Sequence, residues 1–133
     1  MITSPRTLKV GVTQWHPTTD IGSNLEKAAR VIERAAADGA SVVVLPENGL
    51  ILGTNAEMRE AALSVDSTPV LALREQARRI GVVIVLGGMK NRTDEGIFNS
   101  AVVIDAEGSV VARYDKLHLF DANIDGSRSR RRR

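Results

Sequence analysis

The stretch of sequence that decides the fold is Val42-Val43-Val44-Leu45-Pro46-Glu47. A short, continuously apolar and mostly β-branched run is typical of a strand that is covered on both faces of a sheet. Pro46 ends this run, because proline has no backbone N–H to donate to a strand ladder. Glu47 therefore follows a buried strand directly, at the edge where open α/β sheets form their ligand crevices.

The residues before this stretch predict a strand and then a helix. Residues 8–13 alternate with period two, and apolar residues recur with helical spacing between positions 21 and 36. Two starts are open for the helix. Asp20 is one N-cap candidate, and a capping box of Ser23 with Glu26 is the other.

The residues after it predict further helices and another strand. A short helix is expected over residues 55–63, and a longer one begins with Thr68 as N-cap and ends at Gly81. Residues 82–86 then form a second fully apolar strand, which we expect Gly87-Gly88 to close.

A strand pair completes the predicted order. Residues 97–104 and 109–114 are joined by a turn at residues 105–108, which contains Asp105 and Gly108. The order is strand, helix, strand, helix, strand and hairpin. It predicts an α/β fold with helices packed on a sheet.

Composition narrows the class of protein. The chain has 133 residues, 43% hydrophobic and 26% charged, which is ordinary for one globular domain. With no cysteine and two histidines, it offers neither a disulfide framework nor a thiolate metal site, and we expect no metal and no cofactor. No stretch has the length of a membrane span or a secretory signal, so the prediction is a cytoplasmic protein without membrane contact.

The positive charge is concentrated at one end. The net charge is +2, but residues 128–133 contain five arginines, without which 13 basic residues face 16 acidic ones. We expect one domain over residues 1–124 and a disordered, arginine-rich tail over residues 125–133. The acidic body lacks an aromatic stacking platform, which argues against binding of nucleic acid by the domain.

Two residues are candidates for chemistry on position alone. Glu47, partly desolvated at the rim of a sheet, would have a raised pKa and act as a general base; the alternative is a solvated loop glutamate. Period-two geometry places Lys116, His118 and Phe120 on one face of an extended segment. Lys116 there could stabilise an oxyanion, or be an ordinary surface lysine. His118 fits a structural or solvent-facing role better than a catalytic one.

Five features in order make the sequence similar to the nitrilase, or carbon-nitrogen hydrolase, superfamily. They are Val10 to Gln14, Leu45-Pro46-Glu47, Phe98-Asn99-Ser100-Ala101, the turn at 105–108, and Tyr114-Asp115-Lys116-Leu117-His118-Leu119. Residues 119–124 look most like the branch that includes omega-amidase and deaminated glutathione amidase.

The resemblance implies the N-terminal half of an αββα sandwich. It further implies that Glu47 is the general base and that Lys116 stabilises the tetrahedral intermediate, while a cysteine attacks the carbon of a small-molecule amide. Family members commonly form homo-oligomers. The family's cysteine lies beyond the lysine, and this sequence contains none. We therefore expect an amidase-type chain that is inactive alone.

The pattern breaks near Ile124. Members of the related branch usually continue with Pro-Gly and a second glutamate, whereas here Asp125-Gly126 leads into arginines and no acidic residue follows. The favoured explanation of this ending is a frameshift or premature stop that truncates the domain. The two alternative explanations are a genuine basic tail and a deliberate fragment. Truncation would leave apolar sheet surface exposed. The alternative function is a noncatalytic α/β module that binds nucleic acid or another polyanion through its arginine tail.

Overall fold

The structure, a computed structural model, describes residues 6–117. Its elements are β1 (Val10–Val12), α1 (Ile21–Ala37), β2 (Val42–Leu45), α2 (Asn55–Glu60), α3 (Thr68–Ile80), β3 (Val83–Thr93), β4 (Gly96–Ile104) and β5 (Val110–Asp115). The strands form one five-stranded sheet in the order β1-β2-β3-β4-β5. Strands β1, β2 and β3 are parallel, and β4 and β5 extend the sheet as an antiparallel meander. The predicted α/β fold is confirmed.

The helix boundaries settle what the sequence left open. The Asp20 carboxylate accepts a hydrogen bond from the backbone N–H of Ser23 at 3.2 Å, so Asp20 caps α1. The prediction of Thr68 as a cap is wrong by one residue, because Ser67 is the extended N-cap and Thr68 is already helical. Gly81 ends α3 with φ at 79°, a left-handed conformation in which glycine has no Cβ to clash.

Strand β3 continues past the point at which it was predicted to end. Gly87 and Gly88 lie inside β3, where the register with β4 shifts between Leu86 and Met89. A Cβ at Gly87 would lie 2.7 Å from the carbonyl oxygen of Leu45. The strand therefore continues through the two glycines, at a point where a side chain would clash with β2, and does not end there.

One face of the sheet, the covered face, packs against α1 and α3. Both helices lie on the same side because the two parallel crossovers, β1 to β2 and β2 to β3, advance in one direction and share the usual right-handedness. Ile32 of α1 and Leu73 of α3 meet Val43, Ile84 and Ile104 of the sheet, and all five side chains are fully buried. This layer is the hydrophobic core.

The opposite side of the sheet is the open face. Its members in β1, β2, β3, β4 and β5 are Val10, Val12, Val42, Val44, Val83, Val85, Val103 and Tyr114, which alternate along each strand with covered-face residues. Val12 is 81% exposed and Tyr114 is 58% exposed. The sequence predicts that β2 is covered on both faces. Among the described residues, helices cover only one of these faces.

Candidate active site

Glu47 follows β2 and is held by a tight turn. The Asn48 backbone N–H donates to the Gly88 carbonyl at 2.8 Å, and that of Gly49 donates to the Pro46 carbonyl at 3.2 Å. Asn48 has φ at 53°, in the left-handed region that asparagine tolerates better than most residues. The turn ties Glu47 to the adjoining part of β3.

Lys116 follows β5, and a polar network holds the end of that strand. Its backbone N–H donates to the Asn99 carbonyl at 2.8 Å. Asp115 accepts a hydrogen bond from the Ser100 hydroxyl at 2.6 Å and two from the Arg113 guanidinium at 2.9 and 2.8 Å. The hydrogen bonds from Arg113 and Ser100 hold the pKa of Asp115 below its ordinary value. The network therefore favours one register for β5, which places Lys116 beside Asn99.

The two candidate residues from sequence meet in space. The Lys116 ammonium donates to Glu47 Oε1 at 3.1 Å, although the residues are 69 positions apart. Asn99 Nδ2 donates to the same oxygen at 3.2 Å. Glu47 Oε2 has no hydrogen-bond partner among residues 6–117. One carboxylate oxygen is thus anchored, while the other is available to accept a proton.

The protonation state of Glu47 corrects the sequence-based expectation. Burial raises the pKa of Glu47, but hydrogen bonds from Asn99 and Lys116 and the charges of Lys116 and Lys90 outweigh it and leave the pKa below its ordinary value. The predicted raised pKa is wrong, because the carboxylate is about half exposed and its neighbours donate to it. At neutral pH Glu47 is ionised, as a proton acceptor must be.

Gly88 leaves room for this contact, a role in the site that was not assigned from sequence. A Cβ at Gly88 would lie 2.8 Å from Lys116 Nζ and 2.9 Å from Glu47 Cγ. A side chain at this position would therefore force the Glu47 or Lys116 side chain to shift. The signal in the sequence is a glycine pair beside an apolar run, because glycine within a strand often marks a bulge or a close approach of another group.

Asn99 and Lys90 complete the surroundings of the ion pair, and neither was assigned a role from sequence. Lys90 of β3 is the register partner of Asn99 of β4. Directly opposed residues of antiparallel strands share a face, so Lys90 and Asn99 lie on the open face with Lys116. The candidate site is therefore on the side of the sheet that the helices leave uncovered.

Several sequence-based predictions fall on residues without a described structure. Outside residues 6–117 lie His118, Phe120 and the tail at residues 125–133. The predicted binding of a polyanion depends on this tail and is therefore not addressed by the described structure. In the described segment, no three or more His, Asp or Glu side chains are grouped to hold a metal ion. None of the helices in that segment is long and apolar enough to span a membrane.

A known protein family matches this sequence. The family described as "Carbon-nitrogen hydrolase" matches residues 9–133, which is most of the sequence. The chain belongs to the carbon-nitrogen hydrolase family. The resemblance stated from sequence motifs is confirmed.

Relatives of this chain include proteins named as amidases. Deaminated glutathione amidase of Synechocystis is 36% identical over 112 residues, a match that covers 81% of this chain and 41% of the relative. The chloroplastic omega-amidase of Arabidopsis thaliana is 30% identical over 122 residues and is matched over 88% of this chain and 33% of its own length. The chain thus spans about two fifths or less of these curated relatives.

A solved structure supports the same family fold. The Caenorhabditis elegans NitFhit protein superposes with a TM-score of 0.78 at 30% sequence identity. The match covers 90% of this chain and 31% of the NitFhit chain. The single sheet with helices on one face corresponds to part of a larger protein in that relative.

Proposed function

We propose that this carbon-nitrogen hydrolase chain supplies a general base, Glu47, and a stabilising cation, Lys116, for hydrolysis of a non-peptide C–N bond in a small amide. The observation that carries the proposal is the 3.1 Å contact between Lys116 Nζ and Glu47 Oε1, which is formed by the ends of two strands far apart in sequence. The amidase names of the relatives support an amide as the substrate class.

In this proposal, Glu47 and Lys116 have different chemical roles. Glu47 Oε2 takes a proton from the attacking nucleophile and returns it to the leaving nitrogen, while Oε1 stays anchored by Asn99 and Lys116. As the carbonyl carbon becomes tetrahedral, negative charge develops on its oxygen. The Lys116 ammonium, whose side chain is 26% exposed, is positioned to stabilise that charge.

The nucleophile is the part of the reaction that this sequence does not contain. The resemblance implies attack by a cysteine thiolate, and the 133 residues include no cysteine. We therefore expect the chain alone to release no ammonia from simple amides. Turnover by the purified chain that is lost in Glu47→Gln would contradict this expectation.

A chimera tests the proposed roles of Glu47 and Lys116. Residues 1–117 are joined to the segment of the Synechocystis deaminated glutathione amidase that follows its matched region, and amide hydrolysis is measured as ammonia release. We expect activity in the chimera and a loss of about 100-fold or more in kcat for Glu47→Gln or Lys116→Met, because each removes a group that acts in the transition state.

The matched control for the chimera is Glu26→Gln. Glu26 is an exposed carboxylate on α1. Because α1 packs on the covered face and the site lies on the open face, loss of this carboxylate should leave kcat unchanged. An active chimera whose kcat is equally insensitive to Glu47→Gln and Glu26→Gln would refute the assignment of Glu47 as the base.

A further inference from the structure

The turn that carries Glu47 has a backbone conformation that needs support. Asn48 has φ at 53°, in the left-handed region that residues with a Cβ rarely adopt. The Oδ1 atom of Asn48 is buried and has no hydrogen-bond partner among residues 6–117. A conformation with these features persists where surrounding contacts hold it in place. Those contacts therefore decide where the Glu47 carboxylate lies.

The Trp15 indole, in the segment that follows β1, supplies such a contact. Its Nε1 donates to the Gly49 carbonyl at 3.2 Å. A Cβ at Gly49 would lie 2.9 Å from Trp15 Cζ2 and 3.3 Å from Cη2, so the ring lies directly against the glycine backbone. Trp15 is half-buried and packs against the hydrophobic core. Because the ring is large and rigid, it restricts movement of the turn in its direction.

Asn24 ties the same two segments together at a second point. Its side chain is fully buried. The amide Nδ2 donates to the Thr18 carbonyl at 2.7 Å and to the Leu50 carbonyl at 2.8 Å, and Oδ1 accepts from the Thr18 backbone N–H at 3.0 Å. These hydrogen bonds do not involve Trp15. Loss of the indole should therefore loosen the turn at residues 46–49 while Leu50 stays in place.

The hydrogen bonds to Glu47 leave little tolerance for movement of this turn. Asn99 Nδ2 and Lys116 Nζ donate to Glu47 Oε1 at 3.2 and 3.1 Å. Both distances are at the long end of the usual range of about 2.7–3.2 Å, so a displacement of about half an ångström would weaken or break both bonds. The contact of Trp15 with Gly49 is placed to prevent that displacement, because Gly49 belongs to the same turn.

We propose that Trp15 is a positioning residue of the site, whose indole holds the turn so that Glu47 Oε1 stays within hydrogen-bond distance of Asn99 and Lys116. Trp15 acts through Gly49 and takes no part in the chemistry itself. The catalytic consequence rests on the proposed function, because it requires Glu47 to act as a base. The effect on the Glu47 carboxylate rests on the contacts alone.

The first test follows the Glu47 side-chain carboxyl by ¹³C NMR titration in the full 133-residue chain. In Trp15→Ala the carboxylate should lose hydrogen bonds that lower its pKa, so the pKa of Glu47 should rise. Trp15→Phe keeps an apolar ring and removes the indole N–H, so the same rise should be present and smaller. This second variant decides the question if Trp15→Ala does not fold.

Ile80→Ala is the matched control for loss of stability. Ile80 is the last residue of α3 and packs against the hydrophobic core. It lies just before β3, and β2 and β3 are parallel, so it is near the opposite end of the sheet from Glu47. The substitution should lower the free energy of unfolding, measured by urea denaturation, and leave the pKa of Glu47 unchanged.

The second test measures the catalytic consequence in the chimera with the Synechocystis segment. Trp15→Ala should lower kcat about tenfold or more and change KM less than about threefold, because a displaced base affects the transition state more than substrate binding. Ile80→Ala should leave kcat unchanged at a temperature at which the chimera is folded.

The outcomes separate this inference from the proposed function. An unchanged pKa of Glu47 in both Trp15 variants, or an equal rise in Ile80→Ala, overturns the positioning role and leaves the proposed function standing. A raised pKa in a chimera whose kcat responds to Glu47→Gln but not to Trp15→Ala overturns the catalytic part of the inference. A raised pKa in a chimera whose kcat responds to neither substitution supports the positioning of the carboxylate and overturns the proposed function.

Discussion

The two faces of the sheet are built from the same kind of residue and have different surroundings. On the covered face, Val43 is fully buried beneath α1 and α3, whereas its neighbour Val44 on the open face is only half-buried. The ion pair of Glu47 and Lys116 and the adjoining Asn99 lie at one end of the open face. Stability within residues 6–117 is therefore concentrated on one face, while the chemistry we propose is concentrated on the other.

The largest expected effect is a difference between two adjacent valines. Val43→Ala removes two methyl groups from the packed core and should lower the free energy of unfolding by about 2–3 kcal/mol. Val44→Ala makes the same change in the same strand on the open face and should cost less than about 1 kcal/mol, since little packing is lost. Urea denaturation followed by circular dichroism measures both. Equal losses would show that the open face is packed as tightly as the covered one.

A smaller effect is expected on association of the chain. The open face presents apolar side chains to solvent, with Val12 81% exposed, so the chain should bind a hydrophobic dye and self-associate. Val12→Lys places a charge on this face and should weaken both. Leu71→Lys is the control, because Leu71 is 46% exposed on α3. A wild-type chain that is monomeric and binds no dye would contradict the prediction.

The smallest effect concerns the ionisation of Glu47 at the end of the open face. Lys116→Met removes a hydrogen bond and a charge that lower the pKa of Glu47, so that pKa should rise. Asn99→Ala should raise it as well, by loss of one neutral donor. Titration of the Glu47 side-chain carboxyl by ¹³C NMR measures both shifts. An unchanged pKa in Lys116→Met would show that the contact is absent in solution.

The same pKa has a consequence for stability. Because the pKa of Glu47 is lowered in the folded protein, its contribution is present above the ordinary value of 4.5 and is lost as pH falls through the lower folded value. Glu47→Gln removes this contribution. The free energy of unfolding, measured from pH 6 to pH 3, should therefore decline slightly less steeply in Glu47→Gln than in the wild-type chain.

The order of elements was readable because each signal is local. Apolar β-branched runs, a helical apolar stripe and glycine at helix ends depend on near neighbours, and they led to the α/β fold and to Gly81 as the end of α3. Apart from the one-residue error in the N-cap of α3, the errors arose where contacts are distant. The pattern predicts a strand end at Gly87 and Gly88, although their lack of side chains leaves room for Leu45, Glu47 and Lys116.

What the sequence alone determined is the identity of the elements, the family and the two candidate residues, since all of these depend on residue type and spacing along the chain. Only the tertiary structure decided that Lys116 meets Glu47, that Asn99 shares the contact, and that Lys90 lies beside them. It also decided the sign of the change in the pKa of Glu47. The contacts depend on strand register, which brings side chains of different strands together. The pKa depends on the balance between burial and nearby donors, which residue spacing does not specify.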